Sequence, residues 1–325
     1  MPAVASRMAA LLVAALLAGA ATGAAAQSFP TRPVTLVVPF PPGGGNDALA
    51  RAVAERMSRT LGQQVVVDNR GGAGGTVATR AVAKATPDGY TILLAYTGTL
   101  AINPSLYPNV GYDARKDFVP IGLIGQLSSV LVVHPSLPVH SVAELIAFAK
   151  ANPRKIDYAF VPGTVGHITT ELFAKTAEID ITRIPYKGNG PAMGDLVGGH
   201  VSMMFLSILP VLGHVRGGTL RALAVTNPER SRLLPDVPTI SESGLPGFSA
   251  AIRYGLVAPA GTPRTIIDRL SRELQAALAA DDLRARLAAE GAEPLPGTPE
   301  DYAAEIDREE TKWGALVKQL NLKVE

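Results

Sequence analysis

The sequence predicts an α/β protein with largely parallel sheets, and three observations carry that expectation. Short apolar runs rich in Val, Ile and Leu recur along the chain, amphipathic stretches separate them, and glycine- and proline-rich turns punctuate the joins. The length of 325 residues, with 47% hydrophobic and 18% charged, favours two domains of ordinary globular composition.

The elements follow in order. "VTLVVPF", from Val34, reads as a buried strand; Leu49, Val53, Met57 and Leu61 then recur at intervals of four, on one helical face. "QVVVDN" is a second strand, "RGGAGGTVATRAVAKA" opens a second helix, and "GYTILLAY" is a third strand. A further set begins after "GLIGQLSSVLVVHP", where Ser141 and Glu144 have the spacing of a capping box. Strands "IDYAFV", "TRIPY" and "VSMMFL" alternate with helices at about 166–177 and 190–198, and "LRALAVT" and "YGLVAPAG" are strands again. Ile266, Leu270, Leu274 and Leu278 line one closing helix, and Tyr302, Ile306, Trp313, Val317 and Leu320 line the last.

Composition removes several function classes. The net charge is +2 with basic and acidic residues interspersed, which marks neither a nucleic-acid nor an anionic-membrane partner. There is no cysteine, so disulfides, thiolate metal sites and cysteine nucleophiles are excluded. At the start, Arg7, the apolar "MAALLVAALLAGA" and the small residues Ala24 to Ala26 read as a cleaved export signal, with the mature protein beginning near Gln27. The apolar segment is shorter than the ~20 residues a membrane span needs. A periplasmic protein is the expectation.

The stretch "PFPPGGGNDALA" at 39–50 raises the chemical question. A strand that passes through glycines into a helix leaves amides without intrahelical partners, beside the positive end of the helix dipole. Gly43, Gly44 and Gly45 therefore suit a carboxylate, the alternative being a tight turn with Asp47 as its helix cap. Asp47 either caps from the side or meets a ligand amine. A phosphate loop is excluded because the first lysine is Lys84, and neither "GGGND" nor "GGAGG" completes a dinucleotide fingerprint. "IDYAFVPGTVGHITTELF" repeats the plan, with Thr164 and His167 at the second helix start. The dipole there discourages protonation, so a neutral imidazole would either donate to a ligand oxygen or satisfy local backbone. No metal-ligand spacing, nucleophile elbow or paired-carboxylate signature is present, and neither an enzyme, a cofactor nor a metal is expected.

Together "PTRPVTLVVPFPPGGGND", "VVVDNRGGAGG", "PDGYTILLA", "AINPSLYPNVGYDARKDFVPI", "IPYKGNGPAMGDLVGGHVSMMF", "RSRLLPDVPTISESGLPGF" and "GLVAPAGTP" resemble the Bug or TctC-type receptors, the periplasmic solute-binding proteins of tripartite tricarboxylate transporters. The resemblance covers nearly all of the mature chain. It implies a type II Venus-flytrap fold with a mixed, mostly parallel sheet in each of two lobes, which close on a small organic carboxylate. It further implies a first-lobe grip from Phe40, Gly44, Gly45, Asn46 and Asp47, with Thr99 beside it. Gly163, Thr164, Val165 and His167 would form the opposing loop, and Tyr186 would lie near it or in packing. Phe160, Leu206 and Leu100 stand where relatives carry Ser, an acid and His, which suggests a more apolar cleft and a plain or aromatic acid. Arg253 replaces a frequent tryptophan and offers a second carboxylate partner, or else an exposed rim residue. Residues 27–125 and 225–325 would make the first lobe and 126–224 the inserted second. The implied partners of this monomer are inner-membrane transporter subunits. A sensor kinase using the same cleft and a periplasmic hydrolase are the rival readings.

Overall fold

The computed structural model describes residues 29–43, 45–289 and 291–322, so the expected export segment and Gly44 lie outside the described residues. Two sheets hold the described strands. The first contains β1 (Val34–Val38), β2 (Val65–Asn69), β3 (Thr91–Tyr96), β4 (Phe118–Leu127), β10 (Ile252–Pro259) and β11 (Ala292–Gly297), in the order β11-β4-β10-β3-β1-β2. The second contains β5 (Ser129–Val133), β6 (Asp157–Phe160), β7 (Thr182–Pro185), β8 (Met203–Ser207) and β9 (Arg221–Val225), in the order β7-β6-β8-β5-β9.

Each sheet is mixed. Parallel pairing holds in β2-β1-β3 and in β7-β6-β8, where helices carry the chain back between strands. The remaining ladders are antiparallel, because the chain leaves the first sheet along β4 and returns to it along β10. The sequence reading has no counterpart for β11, whose Pro294 and Pro296 disguise a strand; it sits at a sheet edge, the place in a sheet that tolerates proline.

Helices α1 (Gly45–Leu61), α2 (Thr76–Ala83), α3 (Asn103–Leu106), α8 (Arg264–Ala279), α9 (Asp281–Ala289) and α10 (Pro299–Gln319) belong with the first sheet. Helices α4 (Val142–Ala151), α5 (Val165–Thr176), α6 (Asn189–Val197) and α7 (Ile208–Arg216) alternate with the strands of the second. The stripe Leu49, Val53, Met57 and Leu61 of α1 is buried, as its spacing requires, and Trp313 anchors α10 with no exposed surface. At α4, Ser141 Oγ accepts from the Glu144 amide, but the Glu144 carboxylate takes the amide of His140, one residue before the cap. The reciprocal capping box lies instead at Thr298 and Asp301 of α10.

Only Ser128 separates β4 from β5, so the first crossing between sheets is a single residue long. The return runs through 226–251, and it is tied to the first crossing. The Thr226 amide donates to Ser129 O at 2.9 Å, and the Ser129 amide donates to Thr226 Oγ1 at 3.1 Å.

Candidate functional site: the cleft between the sheets

A cavity of about 600 Å³ lies between the two halves, outside the carboxyl ends of parallel strands, where open α/β sheets ordinarily bind ligands. Phe40 reaches it from the loop after β1, Asn46 from the first turn of α1, and Tyr96 from the end of β3. Thr164, Val165 and Gly166 follow β6, Asn189 follows β7, and Ser207 to Pro210 follow β8. Leu127, Ser128 and Ser129 line it from the crossing, with Ile252 and Tyr254 from β10.

The first-sheet wall is aromatic. Phe40 and Tyr96 are tilted at 4.9 Å between ring centroids, and Tyr96 stacks on Tyr254 at 5.9 Å. The Tyr96 hydroxyl donates to Gly74 O at 3.1 Å, and that of Tyr254 donates to Asn46 Oδ1. Burial pushes both phenols well above their ordinary value, so they remain protonated donors. Thr99 is fully buried behind this wall, where its Oγ1 donates to Tyr96 O and accepts from Tyr96 N. It shapes the turn that presents Tyr96 and does not line the cavity.

No charged side chain lines the cleft among the described residues. What it offers an anion is dipolar. In α5 the first intrahelical donor is Ile168, bonding back to Thr164 O, so the Val165 and Gly166 amides precede the hydrogen-bonded ladder. Thr164 caps that helix by accepting from the His167 amide at 3.3 Å and donates to Val161 O, which leaves the amides rather than its hydroxyl for a ligand. Ser207 stands at the N-cap of α7, opposite Ser129 in the β5–β8 ladder. Beside them, the buried Ser128 Oγ has no partner in the protein. An unpartnered buried hydroxyl next to two helix amino ends is a place where an oxyanion would be solvated.

The two glycine loops share a backbone plan. Gly43 and Gly163 both hold left-handed φ, of 91° and 78°, just ahead of α1 and α5. In the first, Asp47 is turned away from the cavity: its carboxylate accepts from Gly43 N, Arg51 Nε and Asn69 Nδ2, and Asn69 also donates to Phe40 O. The Arg51 hydrogen bond holds the Asp47 pKa below the usual carboxylate range against the opposing effect of burial. Asp47 therefore fastens the loop from the side, and Gly45 opens α1. In the second loop, Gly163 meets Gly74 and Tyr107 of the other half, and a Cβ built on it would lie 2.8 Å from the Tyr107 hydroxyl oxygen.

Three other expected site residues lie elsewhere. His167 is buried, stacked on Phe160 at 4.3 Å, and its Nδ1 has no partner. Its pKa falls to about 4, chiefly through burial rather than through the dipole expected from sequence, with Arg183 assisting and Glu171 opposing. Tyr186 packs on the outer face of the second sheet, where its hydroxyl donates to Asp195 at 2.6 Å. Arg253 alternates with Ile252 and Tyr254 along β10 and so projects from the opposite face of the sheet. There it is mostly buried, neither in the cleft nor on an exposed rim, and bonds Glu305 at 2.7 Å and the Gln126 side-chain oxygen. Of the sequence departures, Leu206 lines the cleft, whereas Phe160 lies behind His167 and Leu100 is buried in the first half.

Sequence reasoning missed Tyr96, Tyr254, Ser128 and the β8–α7 turn. The last had a signal, since "FLSILP" places a serine between a strand and a helix start, as an N-cap requires.

Residues 49–322 match the sequence profile described as Tripartite tricarboxylate transporter family receptor. Protein BugT of Bordetella pertussis is 41% identical over 309 residues, spanning 94% of this chain and 95% of BugT. Among solved structures, R. palustris Rpa4515 with adipate is 39% identical, covers 91% of this chain and all of its own, and superposes with a TM-score of 0.81. MatC of Rhodopseudomonas palustris with bound malate is 35% identical, covers 89% of this chain and all of its own, and has a TM-score of 0.77. These are solute-binding receptors rather than enzymes, and they carry the same two-lobed α/β architecture. The profile match over residues 49–322 and the 41% identity to BugT across nearly the whole of both chains make this protein a member of the tripartite tricarboxylate transporter receptor family.

Proposed function

We propose that this protein is an exported receptor that closes two lobes on a small organic carboxylate and presents the closed form to inner-membrane subunits of a tripartite transporter. The observation that carries the reading is the cleft, which among the described residues has no charged side chain and where helix amino ends and the unpartnered Ser128 hydroxyl are groups that can solvate an acid. Fixed amide dipoles replace the water that closure removes from a carboxylate, without the desolvation cost of burying a lysine or arginine. The adipate and malate held by the two relatives are acids of this kind.

We place the lobes at 27–127 with 251–325, and at 129–225. The first boundary moves from 125 to Ser128 because β4 pairs with β10 through Leu127. The export signal belongs to the same reading; mass spectrometry of periplasmic protein should find a chain beginning near Gln27, and an uncleaved chain would contradict it.

A thermal-shift screen of mono-, di- and tricarboxylates and amino acids tests the receptor function. A ligand at 100 times its Kd adds about 2.7 kcal/mol to stability. A folded protein that no acid stabilises would overturn the reading, and uptake assays with and without the transporter's membrane subunits would test delivery.

A further inference from the structure

Resting on that reading, the geometry points to a ligand with one carboxylate and an apolar, ring-sized body: we propose that the cleft selects aromatic monocarboxylic acids. One seat for the acid group is compact. Ser129 faces Ser207 in the β5–β8 ladder, Ser128 is adjacent in sequence, and a Cβ on Gly166 would touch the carbonyl of Phe205 two residues before Ser207. The α5 amides, the α7 cap and the orphan Ser128 hydroxyl thus form one patch.

Away from that patch Asn46 and Asn189 are polar, and much of the remaining wall is apolar. Phe40, Tyr96 and Tyr254 form one side, and both tyrosine protons are already donated within the protein. Phe205, Leu206 and Ile208 form part of the other. A flat ring between these walls removes apolar area on both faces and gains the offset or edge contacts that aromatic pairs favour. The same walls discriminate against other acids. An amino group finds no carboxylate among the described lining residues, and a second carboxylate, away from the patch, finds the neutral side chains of Asn46 and Asn189 as its polar neighbours. Asn46 on the ring wall already accepts from Tyr254 through its Oδ1 and offers a neutral amide rather than a charge. Leaving a charge or hydroxyl unpaired in such a pocket costs far more than a missing methylene, so the discrimination is steep.

Isothermal titration calorimetry of the mature protein with benzoate, 3-phenylpropionate, succinate, adipate and glutamate tests the proposal. We expect one of the two aromatic acids to bind at least tenfold more tightly than the three aliphatic ones. Phe40→Ala should weaken the aromatic acid at least fivefold more than it weakens succinate. Tighter binding of succinate, adipate or glutamate would overturn the proposal and leave the receptor reading intact. Binding of none of the five, by protein whose circular dichroism is native, would overturn it too, and the wider acid screen would then decide the receptor reading separately.

Discussion

The hydroxyl of Tyr254 donates to Oδ1 of Asn46 across 2.5 Å, joining β10 to the first turn of α1 on the wall of the cleft. The bond holds both a ring and a loop in the positions a ligand meets. Tyr254→Phe keeps the ring and removes the bond, at a cost of about 1–2 kcal/mol. The carboxylate giving the largest thermal shift should therefore bind roughly 5- to 30-fold more weakly by calorimetry. Unchanged affinity would mean that the loop is held without this bond.

Gly163 provides a test of closure. Its φ of 78° disfavours any side chain, and a Cβ built there would lie 2.8 Å from the Tyr107 hydroxyl oxygen. Gly163→Ala introduces backbone strain of about 1 kcal/mol and a clash between the two halves. Ligand affinity should fall at least tenfold, and small-angle scattering should show a ligand-bound protein more extended than wild type. Adding Tyr107→Phe should restore part of the affinity, because it withdraws the clashing oxygen.

His167 makes stability depend on pH. Its folded pKa of about 4 lies below its ordinary 6.5, so the unfolded chain takes up the proton first as pH falls. The stabilisation is complete above pH 6.5 and is lost between there and about 4, amounting to the order of 3 kcal/mol. Urea denaturation at pH 7, 6, 5 and 4 should show that decline, and His167→Gln should flatten it.

The Glu171 carboxylate is buried, yet its pKa lies below the usual range. Burial, the largest influence, opposes ionisation, but two bonds of 2.6 Å from Arg183 and one from Tyr158 outweigh it. Arg183→Met removes the compensating charge and should cost about 2–4 kcal/mol at pH 7, somewhat moderated because the arginine is half exposed. The deficit should shrink as pH falls, because Glu171 without its arginine takes up a proton at higher pH than in the wild type; a deficit independent of pH would indicate lost packing instead.

Most of the framework was legible because its strands are buried on both faces, leaving apolar runs such as "TLVV" and "SMMFL", and because α1 carries an unbroken stripe at helical spacing. β11 was hidden by its prolines. In the site, Phe40, Asn46, Thr164 and Val165 were visible in loops whose glycines and helix starts announce exposed amides. Tyr96 and Tyr254 were not, since a ring at a strand end has the same periodicity as a core ring. Arg253 was expected at the cleft or its rim from family likeness alone, which carries no strand phase; on a strand a single step from Tyr254 exchanges one face of the sheet for the other. Ser128 carries no local pattern, because its importance arises only where two sheets are joined by one residue.

That junction has a mechanical consequence. Ser129 and Thr226 lock the outgoing and returning chains side by side through two bonds, so the pair twists as one short rod rather than as two independent strings. Bending at the junction therefore carries both chains together, and a spectroscopic ruler spanning the mouth should report it as one change of distance.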